Sequence, residues 1–381
     1  MPSTTKILVV YYKHKRGGFC KRIKMKIDAY LEKGWVVHYI AVTPYPYEHA
    51  NLIPHILATP FSRHEGIMFV SYFFLAAPIY AFLLQARYRF DLISSVSPVY
   101  AWICVPAKFF GRAPMATFLL TKPKFSADTH EPYKALGKIE FMLEKTGIKC
   151  SDLLIANSNG CRKEWIRQCG NQFERIEVLF NNVEKADFNR REKREILLRE
   201  FSLARDSFVV ATSGILEPHK NIATLIKSLS KDVDPRVAIL ILGDGVQRPE
   251  LTRLAESLQL SDRIIFAGWR EDALSLLQGA DLYVHPSFRE GMSEALLEAG
   301  SCHIPWLVSA IPENTEVITN PEQQFPPENV EVLADKIKRS VEDREFYKEI
   351  LAGTENDIDR YVFNWKKTLT DKLETLLTKN K

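Results

Sequence analysis

The sequence lacks paired cysteines and histidine clusters, the features that mark zinc sites and disulfide frameworks. Its six cysteines are scattered over 381 residues, and none forms a Cys-x-x-Cys pair. Zinc sites need ligands at such short spacings, and small disulfide frameworks need dense cysteines. We therefore predict reduced thiols, a cytoplasmic setting and no bound metal.

Signals for secretion and for membrane insertion are also scarce. The amino terminus, MPSTTKILVVYY, leads directly into a strand-like run and lacks the pattern of a signal peptide. The longest uncharged run, Ile67–Leu84, has 18 residues and is interrupted by Pro78. That length is at the lower limit for spanning a bilayer. The run favours a buried helix or pair of helical turns, with membrane-surface contact as the alternative and a full span as the least favoured.

Charge is distributed unevenly along the chain. Residues 1–200 contain 30 Lys/Arg against 18 Asp/Glu, whereas residues 201–381 contain 21 against 29. This contrast predicts separate domains, the first of which faces an anionic acceptor or surface. Lys13–Lys26 and Ile67–Leu84 together predict contact with an anionic membrane surface, with a solvated helix face as the alternative for the basic segment. No nucleic-acid partner is expected, because an aromatic platform and a recognised module are lacking.

Apolar runs alternate with helical stretches through most of the sequence. KILVV (Lys6–Val10) opens a βαβ unit, and further strand-like runs follow up to RIEVLF (Arg175–Phe180). The alternation restarts at SFVVATSG, after a charged stretch. The pattern predicts two doubly wound α/β domains, residues 1–200 and 201–362, with a cleft between the carboxyl ends of their strands.

The segment FREGMSEALLEAG contains three glutamates spaced four residues apart. Ser293 has the chemistry of a helix N-cap, which puts Glu290 in the preceding loop, Glu294 in the first turn and Glu298 one turn further on. Main-chain amides at such a helix start can bind phosphate, and carboxylates accept hydrogen bonds from sugar hydroxyls. The spacing suits a nucleotide sugar, with a plain amphipathic helix as the alternative.

Several segments, in order, resemble retaining glycosyltransferases of the GT-B fold, family 4. The Glu-x7-Glu pair at 290 and 298 is similar to the donor-site signature of that family. SGILEPHKN, AILILGDGVQRPEL and RIIFAGW resemble its other donor-domain segments, and the Gly17–Gly18 loop resembles the turn after its first strand. FNWKK resembles the start of the family's last helix, which implies that residues 363–381 return to the first domain. The resemblance covers nearly the whole chain and implies two Rossmann-like domains facing each other.

The resemblance also implies which residues bind and which act in catalysis. Lys220 would neutralise the diphosphate, Glu290 would hold a hydroxyl of the donor sugar, and Glu298 would hold the ribose hydroxyls; Lys220 and Glu290 are the catalytic pair. The lysine takes the place of a metal, so no cofactor is implied beyond a UDP- or GDP-sugar as co-substrate. The full set implied for the donor is Gly17, Gly18, Gly214, Lys220, Gly268, Trp269, Glu290, Gly291, Met292, Ser293, Glu298 and Glu316.

The acceptor side carries fewer matches. The family places a histidine after the strand equivalent to MATFLLTKP, and here Lys122 and Lys124 are the nearest polar candidates. The implied acceptor is a glycan or a lipid-linked glycan in the assembly of a bacterial surface polysaccharide or lipopolysaccharide. The implied setting is the cytoplasm, with peripheral binding at the inner face of the cytoplasmic membrane.

One departure from the family pattern leaves other functions open. Ile215 stands where the family carries an arginine, five residues before Lys220, so one of two positive charges on the leaving diphosphate is missing. One preorganised charge of this kind is worth about 3 kcal/mol in the barrier. A catalytically silent sugar-nucleotide-binding subunit is therefore an alternative to a transferase. A sugar-nucleotide epimerase, which shares the architecture, is a second alternative.

Overall fold

The protein divides into two compact units, each built around its own sheet. The computed structural model describes residues 4–13, 18–62, 64, 66–121, 134–170, 175–185 and 189–379. The first unit comprises Met1–Phe180 and Asn364–Lys381, and the second comprises Asn181–Phe363. The chain therefore returns to the first unit with its last helix, as the resemblance at FNWKK implied.

The first unit contains a parallel sheet of seven strands in the order β3-β2-β1-β4-β5-β6-β7. The third strand in this order, β1, is fully buried from Ile7 to Val10, as expected for a strand covered on both faces. The sequence pattern does not predict β3, whose LIPHI contains a proline; a sheet edge tolerates that proline because only one side is paired. The strands are β1 (Lys6–Val10), β2 (Val36–Ala41), β3 (Leu52–Ile56), β4 (Leu92–Ser95), β5 (Met115–Leu119), β6 (Leu153–Ala156) and β7 (Glu177–Val178).

The described helices of this unit connect its strands, and the last one comes from the carboxyl terminus. They are α1 (Gly18–Glu32), α2 (Ile67–Tyr88), α3 (Pro98–Gly111), α4 (Lys134–Lys149), α5 (Asn159–Cys169) and α14 (Trp365–Lys379). α2, α3 and α4 pack side by side, whereas α1 packs against α14. The Arg22 guanidinium lies 4.9 Å from the centroid of the Trp365 ring, which couples the last helix to α1.

The basic segment on α1 is not the uniformly exposed surface that the sequence predicts. Arg22 and Lys26 are both buried. Lys26 Nζ lies 4.0 Å from the centroid of the Phe118 ring and donates to the carbonyl oxygen of Ser95 at 3.4 Å. Burial lowers the pKa of Lys26 to about 7. The prediction of Lys13–Lys26 as an exposed basic patch is therefore wrong for these two residues, because they face the interior of the unit.

The long uncharged run Ile67–Leu84 lies within a single helix, α2, which continues through Pro78. One face of the helix, including Phe73, is buried, but the opposite face is also apolar: Met68 and Leu75 are 71% and 72% exposed. Its length and composition are sufficient to cross a membrane, while 33% of its most apolar window is buried inside the unit. The predicted helix is confirmed, and its predicted burial holds for one face only.

Two buried histidines connect β2 to β3. His38 Nδ1 and His55 Nε2 lie 2.8 Å apart, and the two rings stack. Burial, reinforced by His55 and Lys6, lowers the pKa of His38 to about 4, and burial also lowers the pKa of His55. Both rings are therefore neutral in the folded protein at neutral pH.

We expect the first unit to lose stability as the pH falls from about 6.5 towards the lowered pKa of His38. In that window the unfolded chain binds protons that the folded pair excludes, so the free energy of unfolding falls, by on the order of 2 kcal/mol. Urea unfolding at neutral and at mildly acidic pH measures this. The His38→Gln/His55→Gln variant should lose part of the pH dependence, and His49→Gln, at an exposed position, should retain all of it. A double variant with the wild-type pH dependence would rule the histidine pair out as its cause.

The second unit contains a parallel sheet of six strands in the order β10-β9-β8-β11-β12-β13. β8 and β11 are neighbours, although β9 and β10 lie between them in the chain. Because the chain extends the sheet first on one side of β8 and then on the other, the strand order reverses between β8 and β11. The strands are β8 (Phe208–Ser213), β9 (Val237–Leu242), β10 (Ile264–Gly268), β11 (Leu282–His285), β12 (Trp306–Ser309) and β13 (Gln324–Phe325).

Helices connect these strands and complete the second doubly wound domain, as predicted. The fully buried side chains of Val210, Ile239, Leu282 and Leu307 come from four different strands and belong to one core. The helices are α6 (Arg190–Glu200), α7 (Ile222–Ser228), α8 (Arg248–Ser257), α9 (Ala273–Gly279), α10 (Glu294–Ser301), α11 (Pro312–Val317), α12 (Val330–Glu342) and α13 (Arg344–Asp359).

The charged stretch before residue 200 belongs to the second unit and not, as predicted, to the first. α6 packs against α9, and Arg194 of α6 binds Asp281 at 2.5 Å. Asp281 also accepts a hydrogen bond from the Val209 amide at 2.7 Å, at the start of β8. The second unit therefore begins at Asn181. The composition of the charged stretch does not reveal this, because it does not show that Arg194 pairs with a residue of the second unit.

Candidate functional site

Two loops of the second unit meet at the carboxyl ends of β8 and β11. The loop after β8 contains Gly214 and leads into a 3-10 turn, Pro218–Lys220. The loop after β11 runs to Ser293, where α10 begins. The Phe288 amide of the second loop donates to the His219 carbonyl oxygen of the first at 2.8 Å. Ligands of doubly wound folds bind at carboxyl strand ends where the strand order reverses, so these loops form the candidate site.

Glu290 is the centre of this site. Its Oε1 atom lies 2.6 Å from Lys220 Nζ and 2.9 Å from His285 Nε2. The side chains of Glu290, Lys220 and His285 are 9%, 14% and 2% exposed. The ion pair is therefore formed largely out of water, where removing one partner would leave the other charge uncompensated.

The two neighbours keep Glu290 ionised. Burial by itself raises the pKa of the carboxyl, but Lys220 and His285 lower it by more, so its pKa lies well below the ordinary value. Burial also lowers the pKa of His285, although Glu290 opposes this, and the imidazole is neutral at neutral pH. An ionised carboxylate only accepts hydrogen bonds, so Nε2 of His285 carries the proton that it donates to Glu290.

The start of α10 has the geometry that the sequence predicts. Ser293 is the N-cap, and its Oγ accepts a hydrogen bond from the Leu296 amide at 3.3 Å. Glu294 lies in the first turn, as expected from the helix dipole. Met292 is buried, and its carbonyl oxygen accepts from Asn181 Nδ2 at 3.1 Å. These contacts join the loop to Asn181 and the first turn of α10 to its N-cap.

Tyr283 of β11 is a further buried residue at this site. Its hydroxyl is fully buried and lies 3.1 Å from Ser213 Oγ. Burial raises the pKa of this hydroxyl, and the carboxylates of Glu298 and Glu290 raise it further. Both carboxylates therefore lie within electrostatic reach of the same tyrosine. Glu298 itself is half-buried on that helix.

A recess opens between the two loops, with Gly214, Lys220, His285 and Ser287 among its lining residues. Ile215, which stands in place of the family's arginine, also lines it and is 43% exposed. The positive charge that the family's arginine would supply is therefore absent from this position in the lining of the recess.

Close backbone packing fixes the loop after β8. A Cβ atom at Gly243 would lie 1.8 Å from the Gly214 carbonyl oxygen, and one at Gly245 would lie 2.5 Å from the Leu216 carbonyl oxygen. Gly214 and Gly268 both have positive φ, of 144° and 71°. Gly243 and Gly245 thus have a structural role, and Gly243 packs directly against Gly214 at the recess.

Two further predicted donor residues lie on neighbouring elements of the second unit. Trp269 directly follows β10 and is 40% exposed. Glu316 is half-buried on α11, and its carbonyl oxygen accepts from the Tyr361 hydroxyl at 3.3 Å. Burial raises the pKa of that hydroxyl to about 12, and Glu316 contributes to the shift. The roles of Trp269 and Glu316 in donor binding stay predictions.

The remaining predicted residues lie in the first unit or outside the described residues. Gly18 is the first residue of α1. Gly17, Lys122 and Lys124 fall outside the part of the chain that the structure describes. Gly291 lies directly after Glu290, in the loop that precedes α10.

Sequence reasoning missed His285 and Tyr283 as members of the site. Both belong to DLYVHP, whose sequence pattern predicts a buried strand and nothing further. The available signal was a histidine at the last position of a strand, since the carboxyl end of that strand is where a doubly wound sheet binds its ligand. Within the described residues, no group of three or more His, Cys, Asp or Glu side chains is placed to hold a metal ion.

Comparisons with known structures define the class of the protein. The Anabaena protein HepE in complex with UDP superposes with a TM-score of 0.79 at 20% identity, covering 97% of this chain and 100% of that chain. WaaG, a glycosyltransferase involved in lipopolysaccharide biosynthesis, gives a TM-score of 0.77 at 14% identity, covering 96% and 98%. The fold is GT-B.

The sequence matches two family descriptions in succession. Residues 17–186 match Glycosyltransferase Family 4, and residues 193–356 match Glycosyl transferases group 1. The chain belongs to glycosyltransferase family 4, as its motifs indicated.

Curated relatives align over part of the chain. The UDP-Gal:alpha-D-GlcNAc-diphosphoundecaprenol alpha-1,3-galactosyltransferase of Escherichia coli is 30% identical over 196 residues, 49% of this chain and 50% of the relative. The O-antigen chain mannosyltransferase RfbU of Salmonella typhimurium is 29% identical over 179 residues, 44% of this chain and 47% of the relative. The chain thus spans about half the length of the curated relatives it matches.

Proposed function

We propose that this protein is a retaining glycosyltransferase that moves a hexose from a nucleotide sugar to a lipid-linked glycan acceptor during assembly of a bacterial surface polysaccharide. The observation that carries the proposal is the Lys220–Glu290–His285 cluster at the carboxyl ends of β8 and β11. Relatives whose names specify a diphosphoundecaprenol acceptor and O-antigen synthesis support the acceptor class.

Lys220 is proposed to hold the diphosphate of the donor. An ammonium group has three N–H donors, and Glu290 accepts one of them. The other two would then bind phosphate oxygens and stabilise the charge that develops as the glycosidic bond breaks. A fixed cation of this kind performs the role that a divalent metal has in other transferases.

The two glutamates are proposed to hold sugar hydroxyls. Lys220 and His285 both contact Oε1 of Glu290, so Oε2 is the atom that would accept a hydroxyl of the transferred sugar. Glu298 would accept the ribose hydroxyls, and the backbone of Gly291, Met292 and Ser293 would line the sugar and the diphosphate. A phosphate oxygen of the leaving group would take the proton of the acceptor hydroxyl, which requires no protein base.

A uridine diphosphate sugar is the donor that we expect. The name of one relative specifies UDP-Gal, and a GT-B neighbour was crystallised with UDP. In a thermal-shift screen against UDP-, GDP-, ADP- and dTDP-sugars, the UDP-sugar should raise the melting temperature most. At about 100 times the dissociation constant, binding adds about 2.7 kcal/mol to the stability of the folded form. If only a GDP-sugar stabilised the protein, uridine would be the wrong nucleobase for the donor.

Turnover assays separate the transferase from its rivals. The exposed Ile215 at the recess is the observation that favours a subunit which binds sugar nucleotide without turnover. Binding without hydrolysis or transfer would support that subunit. Release of an isomerised sugar nucleotide in the absence of acceptor would support an epimerase. Transfer to a lipid-linked acceptor, with the anomeric configuration retained, supports the transferase.

We further propose a cytoplasmic location with peripheral binding at the inner face of the membrane, where a lipid-linked acceptor would be met. The apolar helix over Ile67–Leu84 favours this location, whereas the buried Arg22 and Lys26 remove part of the support from Lys13–Lys26.

A further inference from the structure

Asn181, the first residue of the second unit, contacts the loop that precedes α10. Its backbone amide lies 3.2 Å from the sulfur atom of Met292, and its side-chain Nδ2 donates to the Met292 carbonyl oxygen at 3.1 Å. Asn181 and Met292 are 3% and 6% exposed. Two contacts in a buried setting therefore join residues that are 111 positions apart in the sequence.

The two residues that follow Asn181 are also anchored. The Val183 amide donates to the Tyr361 carbonyl oxygen at 2.9 Å, and Asn182 Nδ2 donates to the Phe363 carbonyl oxygen at 3.1 Å. A buried hydrogen bond to a carbonyl oxygen is costly to break, because the oxygen would be left without a donor. Asn181 is therefore held in place by its own segment of the chain while its side chain reaches the loop.

The hydrogen bond to Met292 fixes the direction of the next amide in the chain. In a trans peptide the carbonyl group of one residue and the N–H of the next point in opposite directions. Since the Met292 carbonyl points towards Asn181, the Ser293 N–H points away from it. Among the residues that the structure describes, this N–H donates to no backbone acceptor, although Ser293 is a buried residue. A buried amide requires a hydrogen-bond partner, so this N–H is a directed donor that is available to a ligand.

We propose that Asn181 is a positioning residue of the donor site: it orients the Met292–Ser293 peptide so that the Ser293 N–H donates to a phosphate oxygen of the nucleotide sugar. The inference rests on the proposed function, in which the backbone at this helix start lines the diphosphate. A phosphate suits the start of α10, because the helix dipole favours an anion there. Asn181 does not touch the donor and acts through the peptide that it holds.

The test is isothermal titration of the full chain with UDP and GDP, and with uridine and guanosine as their phosphate-free counterparts. Asn181→Leu keeps nearly the shape of the asparagine side chain but cannot donate to the Met292 carbonyl oxygen. The variant should bind the nucleoside diphosphate about tenfold more weakly than the wild type, as expected for the loss of one hydrogen bond to a charged group. Its affinity for the nucleoside should stay the same, a selectivity that a merely structural role of Asn181 would not produce.

Asn182→Leu is the matched control. Asn182 is buried as well, and its side-chain amide also donates to a backbone carbonyl oxygen, but that oxygen belongs to Phe363. Urea unfolding should show that Asn182→Leu and Asn181→Leu are both less stable than the wild type. Asn182→Leu should nevertheless bind the nucleoside diphosphate as the wild type does.

The outcomes separate this inference from the proposed function. If the wild type binds UDP or GDP and Asn181→Leu binds it equally well, the inference is wrong and the proposed function stands. An equal loss of affinity for the nucleoside, or in Asn182→Leu, would also overturn the inference. Asn181→Ala, which lacks the same donor, provides the same test should the leucine variant not fold. Wild-type protein that binds neither nucleoside diphosphate would count against the proposed function and overturn this inference with it.

Discussion

A Lys220→Ala variant should transfer sugar about 100- to 1,000-fold more slowly than the wild type, because the charge that faces the leaving diphosphate is lost. It should also lose about 3–5 kcal/mol of stability, since Glu290 would remain as a buried carboxylate beside a neutral His285. Initial rates with saturating donor measure the first effect, and urea unfolding measures the second.

A second substitution separates the two roles of this lysine. In Lys220→Ala/Glu290→Gln the buried charge is removed together with its partner, so stability should largely return while turnover stays low. Lys227→Ala, at an exposed position on α7, should leave both quantities unchanged. Wild-type turnover in Lys220→Ala would remove the lysine from the mechanism.

Replacing Glu298 with alanine should greatly reduce the stabilisation of the protein by its nucleotide sugar. Hydrogen bonds to a charged acceptor are worth about 1.5–3 kcal/mol, so the dissociation constant should rise by roughly tenfold to more than 100-fold. Isothermal titration with the donor that stabilises the wild type gives this number directly. The variant should still fold, because Glu298 is only half-buried.

Glu294→Ala is the matched control for Glu298→Ala. Glu294 lies on the same helix, one turn earlier, where its charge suits the helix dipole. Its removal should cost about 0.3–1 kcal/mol of stability and leave donor affinity unchanged. If Glu298→Ala responded to the donor as the wild type does, the nucleotide pocket would have to lie elsewhere.

The parts of the site that sequence could predict are local in the chain. Ser293 as the cap of α10 and Glu294 in its first turn follow from a hydroxyl and an acid placed before an apolar helical run. Lys220 and Glu290 were identified through family motifs, and the structure places them in contact. The distance between them, 2.6 Å, follows from the pairing of β8 with β11, which joins segments 70 residues apart.

The wrong predictions concern residues whose exposure to solvent is unusual for their chemical type. Arg22 and Lys26 are basic, yet both are buried: Arg22 lies over the Trp365 ring of α14, and Lys26 lies over the Phe118 ring of β5. Met68 and Leu75 of α2 are apolar, yet their side chains are exposed to solvent. Composition counts such residues correctly but does not record which way they point, so it misplaced the charged surface of the first unit.

The sequence by itself determined the two doubly wound domains, the family and the helix start at Ser293, because alternating apolar runs and capping residues act over a few neighbouring positions. Only the tertiary structure decided that His285 and Lys220 share one oxygen of Glu290, and that α2 exposes apolar side chains to solvent. These features depend on strand order and helix packing, which bring together side chains distant in sequence and select the face that each helix turns to water.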